Sequence, residues 1–246
     1  MQTTNNPNAS KVEHKSKILY GAETAKALLN FAISDSKMPR AFLWALGSIK
    51  SATALANMEL GLLDADKAMA IQGAAQSVAN GFYDDQFPID VFQTGSGTST
   101  NMNANEVIAS LVKLQTKGQI SVHPLDDVNL GQSSNDVIPS CIHLSAAMLI
   151  EKELLPSLLH LVNTLDGKAK EHHNTIKTGR THLMDAMPLS FAQEIGAWRE
   201  QISYIHTQLQ HSLPSLCKLA IGGTAVGTGI NTHPEFGTVV TRLFRK

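Results

Sequence analysis

Three short polar segments have the residue types of an anion-binding site. They span residues 94–101, 131–136 and 178–182, and each combines glycine with hydroxyl or amide side chains ahead of a helical pattern. A helix start offers unpaired backbone N–H groups and a partial positive charge. Hydroxyl and amide groups bind carboxylate oxygens without bringing a full charge of their own. The three segments therefore predict a site for a small, multiply charged carboxylate.

Helix capping is the alternative interpretation of each segment, because one Ser, Thr or Asn at a helix start is ordinary. The first segment favours binding, since it has more polar side chains than one helix end can use. Phosphate binding is a weaker alternative. Residues 95–97 lack the third spaced glycine of a dinucleotide loop, and no Lys-Ser or Lys-Thr pair follows residues 222–227. The surplus polar side chains are Ser96, Thr98, Ser99, Thr100 and Asn101.

His182 is the candidate acid–base residue. It follows the hydroxyl residue Thr181, and an imidazole exchanges protons near neutral pH. A purely structural role for this histidine stays open. His206 and His211 are five residues apart, which does not place them on one helix face, so no metal-binding pair is predicted.

The composition excludes several classes of partner. The 246 residues include 20 Lys and Arg against 21 Asp and Glu, for a formal net charge of -1. This balance disfavours nucleic acid or an anionic membrane as the main partner. No apolar run approaches the roughly 18 residues that span a bilayer. The polar first residues predict no secretory or transit peptide, and Cys141 and Cys217 predict reduced thiols in a cytoplasmic protein.

Apolar spacing predicts helices through the first half. One helix begins at Arg40 and ends near Gly61, and a second begins near Asp64 and ends before Gly81. A third is expected after Asn101. Residues 87–93 alternate weakly, which indicates an extended segment.

The second half predicts longer helices packed nearly parallel to one another. A spacing near 3.5 runs from Cys141 to Leu165, with a bend expected at Pro156. Another stripe runs from Ile195 to Leu209. An apolar stripe also occupies residues 234–246. We expect this apolar face to stay uncovered because no helix follows it, as in an interrupted chain.

The predicted fold class is mainly α. Residues 1–17 are expected to form a disordered arm because they are polar and lack a period. Residues 18–131 are predicted to form a mixed, mostly helical N-terminal domain. Residues 132–246 are predicted to form an incomplete central helical-bundle domain.

Four long motifs resemble class II fumarate hydratases of the fumarase/aspartase superfamily. They occupy residues 94–109, 123–140, 179–194 and 222–236, and read TGSGTSTNMNANEVIA, HPLDDVNLGQSSNDVIPS, GRTHLMDAMPLSFAQE and GGTAVGTGINTHPEF. The similarity begins near Tyr20 and covers nearly the whole chain. Aspartases typically have Gln where His182 stands, so the Thr181-His182 pair favours a fumarase. The His123-Pro124 segment does the same.

The resemblance implies reversible trans addition of water to fumarate, giving (S)-malate in the tricarboxylic acid cycle, with no metal or organic cofactor. It also implies a fumarase/aspartase-like fold and a homotetramer whose sites combine segments from three subunits. His182 matches the catalytic histidine. The substrate-binding positions are Ser96, Gly97 and Thr98 in the first segment, Ser133, Ser134 and Asn135 in the second, and Thr181. A secondary carboxylate site corresponds to His123, Pro124, Leu125 and Asp126, where the family usually has Asn in place of Leu125.

Two family features are absent from these 246 residues. The first is the GSSxxPxKxNP-type loop, which carries the serine thought to act as base together with a lysine and an asparagine. The second is the acidic partner of the histidine. We therefore expect little or no turnover, and poor solubility, from this chain alone. Two alternatives stay open: an ammonia lyase of the same superfamily acting on aspartate, and a non-catalytic fragment or assembly subunit that pairs with a C-terminal polypeptide.

Overall fold

The computed structural model describes residues 18–244 and is mainly α. The predicted arm at residues 1–17 lies outside the described residues. Within the described part, eight α-helices accompany one two-stranded sheet, a 3-10 turn at Asp84–Gln86 and π-helical turns at Pro124–Val128 and Ile150–Leu154. The elements are α1 (Ala22–Asn30), α2 (Arg40–Glu59), α3 (Ala65–Ala79), α4 (Thr98–Gln115), α5 (Ser134–Leu149), α6 (Leu155–Glu171), β1 (Ile176–Thr181), β2 (Met184–Ser190), α7 (Phe191–Leu216) and α8 (Phe236–Leu243).

Helix α2 lies at the centre of the core. It packs against α3, α4, α5 and α8, and its side chains are buried on most faces because small and apolar residues occupy nearly every position. The predicted helix from Arg40 is confirmed. It ends at Glu59, and Gly61 adopts a φ of 70° that suits the chain reversal beyond it.

The next two helices follow the predicted pattern, with one correction. The Asp64 side chain accepts hydrogen bonds from the backbone N–H groups of Asp66 and Lys67, as expected for the residue that opens α3. Helix α4 starts at Thr98 rather than after Asn101, so the polar residues of the first segment already lie in its first turn.

The extended segment expected at residues 87–93 does not form a strand. An isolated bridge pairs Asp90 with Lys37. The segment is held instead by side-chain hydrogen bonds, among them those from Ser34 and the backbone of Phe92 to the Asp90 carboxylate.

The long helix predicted around residues 141–165 is present as α5 and α6, joined without a break by the π-helical turn at Ile150–Leu154. A bend was expected at Pro156. The π-helical turn instead lies just before that residue. Proline has no N–H to donate to the preceding turn and its ring crowds that turn. The wider π-helical turn relieves this crowding, so the distortion comes ahead of the proline.

A β-hairpin replaces the helix start expected after the third segment. Strands β1 and β2 pair antiparallel, with Ile176 opposite Ser190 and Thr181 opposite Met184. His182 and Leu183 form the turn, with φ of 51° and 61°, the left-handed geometry that suits a tight hairpin. Residues 178–182 therefore lead into this hairpin, and α7 begins only at Phe191.

The expectation that residues 234–246 present an uncovered apolar face is wrong. Phe236 and Val240 of α8 are fully buried and α8 packs against α2, with an ion pair between Arg242 and Glu59. The same buried cluster contains Val137 and Cys141 of α5. The proposed division at residues 131/132 stays a prediction.

Helices α6 and α7 pack against each other but leave much apolar surface exposed. One residue of each is buried, Leu155 on α6 and Ile195 on α7. Large apolar side chains remain exposed along both, including Leu159, Trp198 and Ile205. None of the helices between residues 18 and 244 is long and apolar enough to cross a membrane.

Candidate functional site

The first polar segment is shaped by Gly97, which caps the start of α4 with a φ of 64°. A Cβ atom at this position would lie 2.9 Å from the Ile138 Cγ2 atom, so both the backbone conformation and the close approach require glycine. The hydroxyl oxygens of Ser96 and Thr98 lie 2.9 Å apart on the exposed side of this turn. Two hydroxyl groups therefore stand at one helix start.

The second segment opens α5 and partly supports the capping interpretation. The Ser133 Oγ atom accepts a hydrogen bond from the Asn135 N–H at 3.3 Å, and the Asp136 carboxylate accepts one from the Ser133 N–H at 2.9 Å. Together they form a capping box. The Asn135 backbone belongs to that cap, but the Ser134 hydroxyl and the Asn135 side-chain amide do not.

These two segments adjoin each other in the fold. The Asn101 Nδ2 atom of α4 donates to the Ser134 Oγ atom at 3.3 Å, and Gly97 packs against Ile138 of α5. Two helix starts with their hydroxyl side chains thus meet, which concentrates N–H and O–H donors in one place.

Asp136 fixes a third stretch of chain to this place. Its side chain is 1% exposed, and its Oδ2 atom accepts backbone hydrogen bonds from Gly222 at 3.0 Å and Thr224 at 2.9 Å. The Asn135 Nδ2 atom also donates to the Ala225 carbonyl at 2.7 Å. Sequence reasoning gave Asp136 no role, although the Ser-x-x-Asp spacing of the capping box was a signal for it.

A buried polar network lies beneath the start of α5. The Asn129 Oδ1 atom accepts from the Lys50 Nζ atom at 3.0 Å, from Asn101 at 3.1 Å and from Asn105 at 3.3 Å. The Lys50 amine also donates to the Gln132 Oε1 atom at 2.9 Å. Sequence analysis missed this network, whose one visible signal was a lysine within the apolar pattern of α2.

Burial governs the ionisation of two groups in this region. Removal from water lowers the pKa of Lys50 to about 7, although the nearby Cys141 and Asp136 act in the opposite direction. Burial also raises the pKa of the Cys141 thiol above its ordinary value, with Lys50 opposing. The thiol is therefore protonated and inert.

A groove of about 590 Å³ connects the second segment with the predicted secondary site. In that site, the His123 Nδ1 atom accepts the Asp126 N–H at 3.2 Å, and Pro124 begins the π-helical turn. Leu125 is 49% exposed. The groove is lined by Leu125, Asp126, residues 129–133, Thr224, Ala225, Ile230 and Asn231.

The third segment stands apart from the other two. Thr181 and His182 are exposed at the end of the hairpin, and Leu183 beside them is 97% exposed. Within residues 18–244, no hydrogen bond or ion pair joins His182 to the first or second segment. The fold of one chain thus brings together two of the three predicted segments.

A family model described as a lyase matches residues 10–246. The chain belongs to this lyase family. A class II fumarate hydratase from Xylella fastidiosa is 55% identical over 219 residues, covering 89% of this chain and 46% of that protein. One from Bacillus subtilis is 47% identical over 231 residues, covering 92% and 50%.

A solved structure supports the fold of this lyase chain. The class II fumarase from Schistosoma mansoni matches with a TM-score of 0.87 and 41% identity, covering 94% of this chain and 51% of that one. The predicted mainly α, fumarase/aspartase-like fold is confirmed. The chain spans about half the length of the curated relatives it matches. In the described part of the chain, no group of three or more His, Cys, Asp or Glu side chains could hold a metal ion.

Proposed function

We propose that this chain carries substrate-binding segments of a class II fumarate hydratase, which adds water reversibly to fumarate to give (S)-malate. The observation that carries the proposal is the meeting of the α4 and α5 starts, where the Asn101 amide joins the Ser134 hydroxyl. The names and identities of the relatives from Xylella fastidiosa and Bacillus subtilis support the same activity.

The donors at these helix starts suit the chemistry. Removing a proton from the carbon next to a carboxylate places extra negative charge on the carboxylate oxygens. Donors that are already oriented when this charge develops lower the barrier. In this proposal Ser96, Gly97 and Thr98 hold the dicarboxylate from α4, while Ser133, Ser134 and Asn135 hold it from α5.

His182 and Thr181 act from the hairpin in this proposal. The imidazole assists the active-site water and the proton transfer, and Thr181 contacts the substrate. Because His182 stands apart from the other two segments within one chain, it acts at a site shared with another copy. The exposed apolar faces of α6 and α7 provide a surface on which a homotetramer can form.

The groove beside Ser133 holds a second carboxylate in this proposal, at His123, Pro124, Leu125 and Asp126. Leu125 offers no hydrogen bond there, and the Asp126 carboxylate repels an anion, so we expect weaker occupancy than at the first site. We also place the enzyme in the cytoplasm and in the tricarboxylic acid cycle.

Complementation tests the proposed activity. The chain is co-expressed with the C-terminal half of the Bacillus subtilis relative, and fumarate loss is followed by ultraviolet absorbance. We expect hydration that His182→Asn abolishes and that His173→Asn, a change at an exposed histidine beyond the end of α6, leaves intact. Ammonia release from aspartate without fumarate hydration would favour the ammonia-lyase alternative.

The 246 residues alone should convert little or no malate, because they lack the serine loop of the family. Purified chain is assayed for malate dehydration with and without His182→Asn. Turnover that depends on His182 in the chain alone would refute this expectation. Absence of fumarate hydration in every complemented pair would leave the non-catalytic alternative.

A further inference from the structure

Lys50 is a basic side chain buried in the core of the molecule. It is 0% exposed in the middle of α2, and its hydrogen bonds go to the neutral side-chain oxygens of Asn129 and Gln132. No ion pair to Lys50 occurs among the described residues. Holding an ammonium group in this way costs free energy of folding. Such a cost points to a use for the charge.

The groups around the Lys50 amine come from several elements. Helix α5 presents two titratable side chains, Asp136 and Cys141. The Asp136 oxygens are already occupied by backbone N–H groups. Helix α4 presents the neutral amides of Asn101 and Asn105 to the same Asn129 oxygen. Within the described structure, α3 and α8 add no charged partner of Lys50.

The two acceptors of Lys50 lie just before Ser133, Ser134 and Asn135, the proposed substrate-binding residues of α5. Gln132 directly precedes Ser133, and its Nε2 atom also donates to the carbonyls of Val128 and Leu130. The Asn101 amide donates hydrogen bonds to both the Asn129 Oδ1 atom and the Ser134 Oγ atom. One amine therefore holds both the turn before α5 and the contact between α4 and α5.

We propose that Lys50 is a positioning residue for the segment 131–135, and that it takes up a proton when a dicarboxylate dianion binds there. The proposal rests on the function proposed above. Lys50 does not contact the substrate; it acts through Asn129 and Gln132 and through the field of its buried charge, which water does not screen.

Thermodynamic linkage gives the sign of the effect. With a pKa of about 7 in the free protein, Lys50 is mostly neutral at pH 8. A bound dianion favours the charged ammonium and raises this pKa. By reciprocity, protonated Lys50 strengthens binding. Carboxyl groups ionise at about pH 4, so the ligand charge stays constant while affinity falls as the pH rises through 7.

The experiment uses fumarate as the probe with the 246-residue chain. Amide shifts at residues 133–135 give the Kd, and calorimetry at pH 8 in two buffers of different ionisation enthalpy gives the protons taken up. We expect uptake of a fraction of a proton, and a Kd about three- to tenfold weaker at pH 8 than at pH 6.

Three variants isolate the amine. Lys50→Met removes the charge and keeps the side-chain length, and should abolish proton uptake and flatten the pH dependence of Kd. Gln132→Glu keeps nearly the same shape but pairs Lys50 with a carboxylate, and should also abolish uptake. Lys67→Met is the control. It removes the half-exposed ammonium group that pairs with Asp127, a residue of the turn before the segment. Proton uptake should stay the same as in the wild-type chain.

The outcomes separate this inference from the proposed function. Unchanged proton uptake and Kd in Lys50→Met, with amide shifts still present, would overturn the inference alone. Absence of any fumarate response at residues 133–135 would overturn both the proposed function and the proton uptake. Amide hydrogen exchange then decides the positioning role: faster exchange at residues 129–135 in Lys50→Met than in Lys67→Met supports it, and equal exchange removes it.

Discussion

The side chains that matter most at this site include several that bind nothing themselves. Lys50 and Asp136 are both buried in the same part of the core, yet neither carries one of the hydroxyl groups that the sequence singled out. Their effect is to fix the backbone of the α5 start. Sequence patterns located the polar residues at the starts of α4 and α5, but they did not report which buried charges hold those starts in place.

The stability of the chain should depend on pH through Lys50. Its pKa is about 7 when folded, against an ordinary value of 10.5, so the unfolded chain binds more protons between these values. The free energy of unfolding should therefore rise with pH from about 7 towards 10.5, on the order of 1 kcal/mol per pH unit. Urea denaturation at several pH values from 7 to 9 measures this rise.

Lys50→Met should lack this rise, because methionine does not titrate. The difference in free energy of unfolding between the two proteins should therefore shift in favour of the wild-type chain as the pH increases from about 7. Parallel pH profiles for the two proteins would contradict the explanation.

Gly97 should tolerate no side chain. Gly97→Ala forces a Cβ atom against Ile138 and places alanine at a φ of 64°, so we expect a loss of about 1–3 kcal/mol in the free energy of unfolding. Gly95→Ala is the matched control, since a Cβ atom there meets nothing within 4 Å. Equal stability of the two variants, measured by urea denaturation, would count against this account.

At the scale of elements, the helices were predictable and the hairpin was not. Regular apolar spacing gave α2, α3 and α5, because each buries side chains in the core. It also gave α6, which packs against α7 instead. Strands β1 and β2 are largely exposed on both faces, so they carry no alternating pattern. Pro188 in β2 further obscures a strand. The hairpin is fixed by its left-handed turn at His182 and Leu183, which apolar periodicity cannot reveal.

Asp136 should control the link between the start of α5 and residues 222–225. Asp136→Asn weakens the carboxylate hydrogen bonds to Gly222 and Thr224, and we expect destabilisation of about 2 kcal/mol. Amide hydrogen exchange should quicken at Gly222 and Thr224. Asp126→Asn changes an exposed carboxylate and should leave both amides protected; the same exchange rates in both variants would refute the link.

At the scale of the molecule, the candidate site is divided. The first two segments lie together at the starts of α4 and α5, while His182 lies apart from them at the turn of the hairpin. The residue types singled out all three segments, and the resemblance supplied their roles, because motif similarity is independent of distance in the fold. The resemblance also implied sites that combine segments from three subunits, but not which segments one chain keeps together. Nor did it show that α2 covers the apolar face of α8. That packing joins residues far apart in sequence.

The exposed apolar faces of α6 and α7 should make the isolated chain self-associate. Light scattering after size exclusion should give a mass above that of one chain. Ile205→Lys, at a side chain that is 47% exposed, should lower this mass by interrupting the face. Gln208→Lys, at an exposed polar position of α7, should not. A solitary monomer in the wild-type protein would contradict the prediction.

The hydrogen bonds of Asp136 span 86 and 88 residues of sequence. During synthesis, the helix that begins at Ser134 leaves the ribosome long before its anchoring partners are translated. The nascent polypeptide must therefore carry Asp136 with its capping-box bond to Ser133 but without its bonds to Gly222 and Thr224 until those two residues emerge. Anchoring of the α5 start to residues 222–224 is thus a late event in folding.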